Sequence, residues 1–432
     1  MTYGGGKSSA LHEVSALVLD IGTSTTRAGY AGDDTPRTVF STTYGYVKES
    51  EPLADPGAPS NARLFIGDHV TEWRANMEVA NPMKDGIIKD FTAVPSIISH
   101  AFVTKMDCSP AEHPVMVTEA PWNTPENRQR MAEILFEEFK VPAFYIANNA
   151  VLSSFASGKG TSLVIDVGKS MVSVTPISDG FVLRKGMSCS ALPPQVQSTA
   201  FRILTTPSNH PIYPRPPIQL LPYQLIASKK AVEIGRPHQA IFREDRISQA
   251  TESWRQWAEA REAEEWIAAA NAVIESGWTE VAAHARPPRH YEFPTGYNAM
   301  FAQDRFIPGE MYFKPPAQTN PNVPRAPTIP EMITTTMQSV EPDLRAALLN
   351  HVVLTGAGSM MQGMSDRIFN ELQQLFPAQK IKMHAPGNPT ERKYAGWLGG
   401  SILASLGTFH QLWVSAEEWQ EHGASIVMQR CK

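Results

Sequence analysis

Runs of apolar residues predict a series of strands with tight turns between them. Residues 15–21 (SALVLDI) form an apolar run of strand length, and a glycine turn separates this run from Thr25–Tyr30. Residues 160–186 carry alternating β-branched positions, which predict a β-hairpin or meander. Residues 352–360 (VVLTGAGSM) predict another strand, which a turn of small residues joins to a helix. The pattern therefore indicates an α/β protein.

Helical spacing of apolar residues marks two further segments. Residues 124–139 begin with Thr124 as a predicted N-cap and Pro125 at the first helical position. Four apolar residues then define one helix face: Met131, Ile134, Leu135 and Phe139. Residues 251–275 are rich in Ala, Glu and Trp, with helical spacing. Their tryptophans are expected in a core rather than in a recognition surface: Trp254, Trp257 and Trp266.

Two proline-rich segments divide the chain. Residues 205–225 and 314–330 contain too many prolines for a regular helix or strand. They bracket a separate subdomain, and the α/β pattern returns from residue 331 onward. Residues 41–62, rich in Pro, Ser, Ala and Gly, are expected to form loops.

Composition narrows the class of protein. The chain has 432 residues, of which 42% are hydrophobic and 19% charged, enough for two or three lobes with their own cores. A net charge of −5 argues against binding of nucleic acid through charge alone. Cys108, Cys189 and Cys431 lie far apart, which predicts free thiols. The sequence has no signal peptide and no apolar run of about 18 residues, so a soluble intracellular protein is expected.

One short motif suggests a P-loop, but its surroundings exclude that interpretation. Gly168, Lys169 and Ser170 match the end of the G-x-x-x-x-G-K-[ST] pattern. Leu163 stands where the pattern requires its first glycine, and an alternating strand-like run follows where a helix is required. What remains is a strand that ends in Asp-x-Gly and turns directly into another strand.

This Asp-x-Gly unit occurs twice, at Leu19-Asp20-Ile21-Gly22-Thr23 and at Ile165-Asp166-Val167-Gly168-Lys169. An acid at a strand end can hold a hydrated metal ion, and the backbone N–H groups of the turn can face phosphate oxygens. A single copy is more often an ordinary hairpin turn. Two copies followed by the small-residue turn at Gly356-Ala357-Gly358 indicate a triphosphate site between two lobes.

The order of these three motifs resembles the ATP cleft of the superfamily of actin, sugar kinases and heat-shock chaperones. Within it, three segments resemble actin nearly residue for residue: AGYAGDDTPR (28–37), AEHPVMVTEAPWN (111–123) and WLGGSILASLGTF (397–409). This resemblance covers roughly residues 14–190 and 331–432. Two segments of the middle, PYQLIASKKAV (222–232) and RHYEFPTGYNAMF (289–301), resemble one nuclear branch of the actin-related proteins. Members of that branch are obligate subunits of chromatin remodellers and histone acetyltransferase complexes.

The resemblance implies an α/β, actin-like two-lobed fold with duplicated ribonuclease-H-like cores around a central nucleotide cleft. It also implies four subdomains. Their expected boundaries are 1–40, 80–157 and 394–432 for subdomain 1, 41–79 for subdomain 2, 158–200 and 328–393 for subdomain 3, and 201–327 for a divergent subdomain 4.

The expected ligand is ATP with magnesium or calcium. By resemblance, the nucleotide contacts are Asp20, Gly22, Thr23, Ser24, Thr25, Arg27, Asp166, Gly168, Lys169, Ser170, Gly356, Ala357, Gly358, Met360, Met361 and Lys393. Asp20 and Asp166 are expected to hold the metal through water.

Departures from actin argue that hydrolysis is very slow or absent. Asn149 and Ser173 stand where actin has the glutamine and histidine that handle the attacking water. Asn is shorter by about 1.5 Å, and a serine does not accept a proton at neutral pH as histidine does. Arg27 keeps the charge of a phosphate-contacting lysine, whereas Lys169 replaces an acid. An active ATPase that polymerises or cycles nucleotide is the alternative.

The resemblance also implies partners and a place in the cell. A groove for a partner helix is expected along Phe155, Ala156, Gly158, Leu398, Ile402, Leu406 and Phe409, the last four on one apolar helix stripe. The expected partners are actin, an actin-binding helix of a remodeller ATPase or acetyltransferase scaffold, and other actin-related proteins, with histones as a further candidate. The implied location is the nucleus, with no membrane contact and no filament.

Overall fold

The computed structural model describes residues 15–47, 63–314 and 325–431. Strands and helices alternate over most of these residues, as the apolar pattern predicts. The strands are β1 (Leu17–Ile21), β2 (Thr25–Tyr30), β3 (Thr38–Ser41), β4 (Tyr44–Val47), β5 (Arg63–Phe65), β6 (Glu78–Ala80), β7 (Met83–Lys84), β8 (Ile87–Ile88), β9 (Val115–Glu119), β10 (Ala143–Asn148), β11 (Ser162–Val167), β12 (Val172–Ser178), β13 (Phe181–Val182), β14 (Ser188–Ser190), β15 (Ile226–Lys230), β16 (Gln239–Phe242), β17 (Arg289–Glu292), β18 (Asn298–Phe301), β19 (Val352–Thr355), β20 (Met383–His384) and β21 (Val414–Ser415).

The helices pack on these strands or connect them. They are α1 (Val94–Ser99), α2 (Pro125–Glu133), α3 (Asn149–Ala156), α4 (Leu192–Thr205), α5 (Glu244–Gln249), α6 (Glu252–Ala270), α7 (Glu280–His284), α8 (Ile307–Glu310), α9 (Ile329–Ser339), α10 (Pro342–Leu349), α11 (Met364–Leu375), α12 (Pro389–Lys393), α13 (Ala395–Ser405), α14 (Ala416–His422) and α15 (Ser425–Arg430). Single π-helical turns extend α1 through Lys105 and α2 through Glu138. In the described ranges, no helix combines the length and the apolarity needed to cross a membrane.

Two main sheets share one topology. The first has the order β21-β10-β9-β1-β2-β3 and the second the order β13-β12-β11-β19-β20, with β14 beside β12. In each, the strand that carries the Asp-x-Gly unit pairs antiparallel with the next strand and parallel with a later one: β1 with β2 and β9, β11 with β12 and β19. The duplicated motif therefore reflects duplicated cores, and the predicted α/β, actin-like two-lobed fold is confirmed.

Each sheet is the centre of one lobe. The first lobe buries Leu17, Val18 and Leu19 of β1, and the second buries Leu163 and Ile165 of β11. Because helices cover both faces of these sheets, their central strands are continuous apolar runs. The chain passes from the first lobe to the second through α3 and returns through α13. The boundaries predicted for the four subdomains stay a prediction.

Most predicted elements form where the sequence indicates them. Thr124 caps α2 by accepting a hydrogen bond from the N–H of Asn127 at 3.3 Å. Thr251 caps α6 in the same way, and Trp254 and Trp266 are buried as predicted, whereas Trp257 is only half-buried. Residues 206–225 contain one 3-10 turn and an isolated bridge but no longer element. The predicted loop at 41–62 is interrupted by β4, and its residues 48–62 lie outside the described residues, as do residues 315–324 of the second proline-rich segment.

Candidate functional site

The first Asp-x-Gly turn follows β1. Its Gly22 N–H donates to the carbonyl of Thr25 at 3.1 Å, which closes a tight turn into β2. Asp20 lies opposite Arg27 in the β1–β2 register, and the two form an ion pair. The Thr118 hydroxyl, on the neighbouring strand β9, donates to the other carboxylate oxygen of Asp20 at 2.5 Å. The sheet register thus fixes the orientation of Asp20.

Arg27 has three kinds of contact. Besides Asp20, its guanidinium donates to the hydroxyl of Thr25 at 3.0 Å. It also lies 4.9 Å from the ring centroid of Tyr394, the residue before α13, in a cation–π contact. Arg27 therefore holds a fixed position beside the first turn rather than extending into solvent.

The second turn repeats this geometry at the end of β11. The Gly168 N–H donates to the carbonyl of Met171 at 2.9 Å. Burial and the nearby charge of Asp20 raise the pKa of Asp166 to about 6, and Arg27 only partly opposes this shift. Unlike Asp20, Asp166 forms no ion pair within the described part of the chain. A cation placed between the two turns would relieve this electrostatic cost.

The two turns face each other across a central cleft. The hydroxyls of Thr23 and Ser170 lie 2.9 Å apart and join the lobes by a hydrogen bond. Among the described residues, the backbone N–H groups of Thr23, Ser24, Lys169 and Ser170 have no protein acceptor. Free N–H groups on successive turn residues are the usual cradle for phosphate oxygens.

The third motif lies directly against the second turn. Gly356 has φ +88°, and a Cβ there would overlap the Asp166 carboxylate and the Val167 carbonyl. A Cβ at Gly358 would lie 2.6 Å from Cγ1 of Val167. Both positions therefore require glycine, because the backbone of this motif lies on the backbone of the second turn.

The structure brings most of the predicted site residues together. Those that line the central cleft are Asp20, Gly22, Thr23, Ser24, Arg27, Asp166, Gly168, Lys169, Ser170, Gly356, Ala357 and Lys393. Thr25 lines the groove just outside the cleft. Gly358, Met360 and Met361 do not line the cleft: Met361 packs on the second core, with its sulfur near Gly309. The base contact expected at Met361 stays a prediction.

Asn149 and Ser173 stand where actin has the two residues that position and activate the attacking water, and they lie in different environments. Asn149, the first residue of α3, lines the cleft. Ser173 is only 3% exposed, pairs with Asp166 in the β11–β12 register and does not line the cleft. A polar side chain at Asn149 can therefore reach a ligand, whereas Ser173 is buried beside Asp166 and is not among the residues that line the cleft.

Several cleft residues were not singled out from the sequence. Thr118, Glu119 and Trp122 line the cleft from β9 and the turn after it. The indole N–H of Trp122 donates to the carbonyl of Asp85 at 2.8 Å. These residues lie within the segment 111–123, so the resemblance of that segment to actin was the signal that could have identified them.

Lys169 makes a contact that no pattern in the sequence predicts. Its ammonium group forms an ion pair with Glu264 on α6, within the divergent part of the chain. No sequence spacing connects a turn residue with a helix residue about a hundred positions later. The second turn is thereby tied to α6.

The residues present fit a hydrated divalent cation better than a directly ligated one. Asp166, the carboxylate without an ion pair, and Asp20 are the two acids of the turns. Within the described ranges, no group of three or more His, Cys, Asp or Glu side chains has the arrangement of a metal site. Two carboxylates can hold Mg²⁺ through its water ligands when phosphates supply the remaining oxygens.

The predicted partner groove is only partly formed as expected. Ala156, Leu398 and Ile402 line one groove between the lobes. Phe155 is half-buried and Gly158 exposed, while Ile402 and Leu406 are about two-fifths exposed, at 41% and 39%.

The prediction of one continuous helix stripe is wrong. Helix α13 ends at Ser405, Leu406 is extended, and a 3-10 helix follows at Gly407–Leu412. As a result, Phe409 turns inward: it is 2% exposed and packs edge-to-face on Tyr145 at 4.9 Å. Phe409 is therefore a core residue.

Comparisons with known proteins agree with this geometry. A family model described as actin matches residues 11–432. Actin-related protein 4 of Emericella nidulans is 37% identical over an alignment of 476 positions, which covers 97% of each chain. Actin-related protein 4 of Yarrowia lipolytica is 37% identical over 427 residues, covering 97% of this chain and 96% of the relative. Actin-related protein 4 of Schizosaccharomyces pombe is 34% identical over 451 residues, covering 97% and 98%.

Proposed function

The chain belongs to the actin family, and from that premise we propose that it is an ATP-binding, largely non-hydrolysing structural subunit of nuclear chromatin-remodelling and histone acetyltransferase complexes. It pairs with actin there and docks on a helix of the scaffold ATPase. Support for this role comes from the resemblance of residues 222–232 and 289–301 to the nuclear branch and from relatives named actin-related protein 4.

One observation carries the ATP-binding part of the proposal. Two turns of the same construction face each other, are joined by Thr23 and Ser170, and carry four backbone N–H groups that have no acceptor among the described residues and belong to residues lining one cleft. A triphosphate between the turns would accept from these groups. Asp20 and Asp166 would hold magnesium or calcium through water, and the metal would supply positive charge against the phosphates.

The non-hydrolysing part rests on what the cleft wall offers to a water molecule. Asn149 is the polar side chain at the start of α3, and its amide is not a base. Ser173 is buried, does not line the cleft and is no proton acceptor at neutral pH. Of these two side chains, the Asn149 amide can orient a water molecule, but neither can remove a proton from it. We therefore expect nucleotide binding with little hydrolysis.

The nucleotide itself is tested by extraction. The purified chain is denatured, and the released small molecules are separated by ion exchange; about one ATP per chain is expected. Protein refolded without nucleotide should unfold at a lower temperature and regain its stability when ATP is added, because a ligand at about a thousand times its dissociation constant contributes about 4 kcal/mol. An empty extract together with an unchanged unfolding temperature would contradict ATP binding.

Turnover separates the structural role from the alternative of an active ATPase. In a single-turnover assay with radiolabelled ATP, the unmodified chain should hydrolyse well below the rate of filamentous actin measured beside it. Asn149→Gln restores the longer amide and is expected to raise the rate, since a displacement of about 1 Å can change a rate about a hundredfold. Robust hydrolysis by the unmodified chain would favour the active ATPase.

A further inference from the structure

Helix α6 contacts both lobes at the outer end of the central cleft. Near its start, Trp254 and Ala258 share a hydrophobic cluster with Phe65 and Met77 of the first lobe. Trp254 is 1% exposed and packs edge-to-face on Trp73 at 4.9 Å between ring centroids. Residues from opposite sides of the cleft thus form one common core.

Hydrogen bonds reinforce this cluster. The Thr251 hydroxyl donates to the carbonyl of Met77 at 2.5 Å. The Ser253 hydroxyl accepts from the N–H of Val79 at 3.0 Å and also donates to the carboxylate of Glu78. The start of α6 is therefore bonded to the backbone and side chains of β6 and its preceding loop.

The other half of α6 is fixed in the second lobe. Trp266 is fully buried and packs on Phe301 at 5.1 Å. Between the two ends, Glu264 forms the ion pair with Lys169 of the second turn. With 19 residues, the helix spans about 28 Å, so it extends across the mouth of the cleft.

The space below the helix opens directly onto the turns. An outer groove is lined by Trp257, Arg261 and Glu264 of α6, and its floor is formed by Thr23, Ser24 and Lys169. The same three floor residues line the central cleft. A ligand leaving the turns on this side must pass α6.

We propose that α6 is a strap that holds the two lobes closed and retains the bound nucleotide. This inference rests on the proposed ATP binding and assigns a role to the divergent segment. Opening the cleft would expose the cluster around Trp254 and break the bonds of Ser253, whereas the Glu264–Lys169 pair, within the second lobe, holds the helix over the second turn. Release of nucleotide is then limited by detachment of the strap rather than by contacts to the phosphates.

The test measures release of a fluorescent ATP analogue, methylanthraniloyl-ATP, from the full chain after addition of excess unlabelled ATP. Glu264→Gln removes the ion pair that holds α6 over the second turn and should speed release about fivefold, the scale expected for a partly exposed pair. Ser253→Ala removes the bonds to β6 and should give a similar factor, and the double variant should approach the product. Glu265→Gln is the matched control, because Glu265 lines the same groove and is exposed on the same helix, but within the described residues its ion pair is with Arg261 of that helix, at 3.9 Å.

Hydrogen exchange of residues 76–80 supplies a second readout that needs no nucleotide. Faster exchange in Ser253→Ala, with unchanged exchange in Glu265→Gln, is expected. If the variants release the analogue at the unmodified rate and exchange is also unchanged, the strap is refuted while ATP binding stands. If the unmodified chain binds no analogue, the proposed function fails, and the exchange result alone decides whether α6 holds the lobes together.

Discussion

Glu262 is a carboxyl group in an unfavourable position. It lies on the buried face of α6, is 4% exposed, and its Oε2 has no hydrogen-bond partner among the described residues. Burial, with a smaller contribution from Glu265, raises the pKa of Glu262 to about 7, and Arg261 opposes this only weakly. The folded protein therefore binds this proton more tightly than the unfolded chain does.

Because of Glu262, the free energy of unfolding is expected to fall as the pH rises. Well below pH 4.5, Glu262 is protonated in both the folded and the unfolded state, so it makes the free energy of unfolding independent of pH there. As the pH rises toward 7, the unfolded chain ionises first, and the free energy of unfolding falls. Glu262→Gln should remove this loss and raise the stability at pH 8 by about 1 to 3 kcal/mol. Thermal unfolding at pH 5 and pH 8 measures this change in stability, and Glu244→Gln, at an exposed site on α5, is the control. Equal pH dependence in both variants would contradict the prediction.

Single residues also show where sequence reasoning reached its limit. Asp20, Asp166 and Gly356 were found because strand ends and tight turns restrict residue type locally. The Lys169–Glu264 pair was not found, since it depends on how a divergent segment packs in three dimensions. The predicted role of Met361 rests only on resemblance, and in the structure its side chain faces the second core.

At the scale of elements, α3 and α13 form the connection between the lobes. Gly399 of α13 lies so close to α3 that a Cβ would overlap the carbonyl of Leu152. Trp397 is fully buried, and its indole N–H donates to the carbonyl of Val18 on β1 at 3.1 Å. The glycine thus permits a close approach of two helix backbones, which fixes the angle between the lobes.

Gly399→Ala should therefore destabilise the protein, although alanine favours a helix by about 1 kcal/mol over glycine. Overpacking against rigid backbone costs about 1 to 3 kcal/mol or more and should dominate. Gly407→Ala is the control, because a Cβ there would meet no atom within 4 Å. Chemical denaturation of both variants measures the difference, and a Gly399→Ala protein as stable as the control would refute the close-packing argument.

The end of α13 shows why element boundaries are harder to predict than element types. The residues Leu398, Ile402, Leu406 and Phe409 fit one helical stripe, so the sequence indicated a single helix. The structure breaks the helix after Ser405, with a glycine at the start of the 3-10 turn that follows. Packing of Phe409 into the first core decides the break, and periodicity contains no information about that packing.

At the scale of the whole molecule, the two ends of the lobe interface differ. At one end α6 joins the lobes through a shared core. At the other, Ile402 lines the groove along α3 and α13 and is 41% exposed, and Leu406, directly after α13, is exposed as well. If the strap keeps the lobes together, the groove has a constant width, and a partner helix meets a preformed surface. Preformed sites bind with a smaller entropic cost.

The proposed scaffold helix is therefore expected to bind in the groove along α3 and α13. An amphipathic helix would place anchors at i, i+3, i+4 and i+7 against the groove. Ile402→Asp puts a charge on its wall at a position 41% exposed, so the fold should tolerate it. Loss of one buried anchor costs about 2 kcal/mol, so binding of a scaffold-helix peptide should weaken at least tenfold. Ile241→Asp, the same substitution on β16 of the divergent segment at a position that is 65% exposed, should bind as the unmodified chain does. Peptide titration by fluorescence anisotropy, after thermal unfolding confirms that both variants are folded, distinguishes the cases. Equal affinity for the two variants would mean that the partner helix docks on another surface.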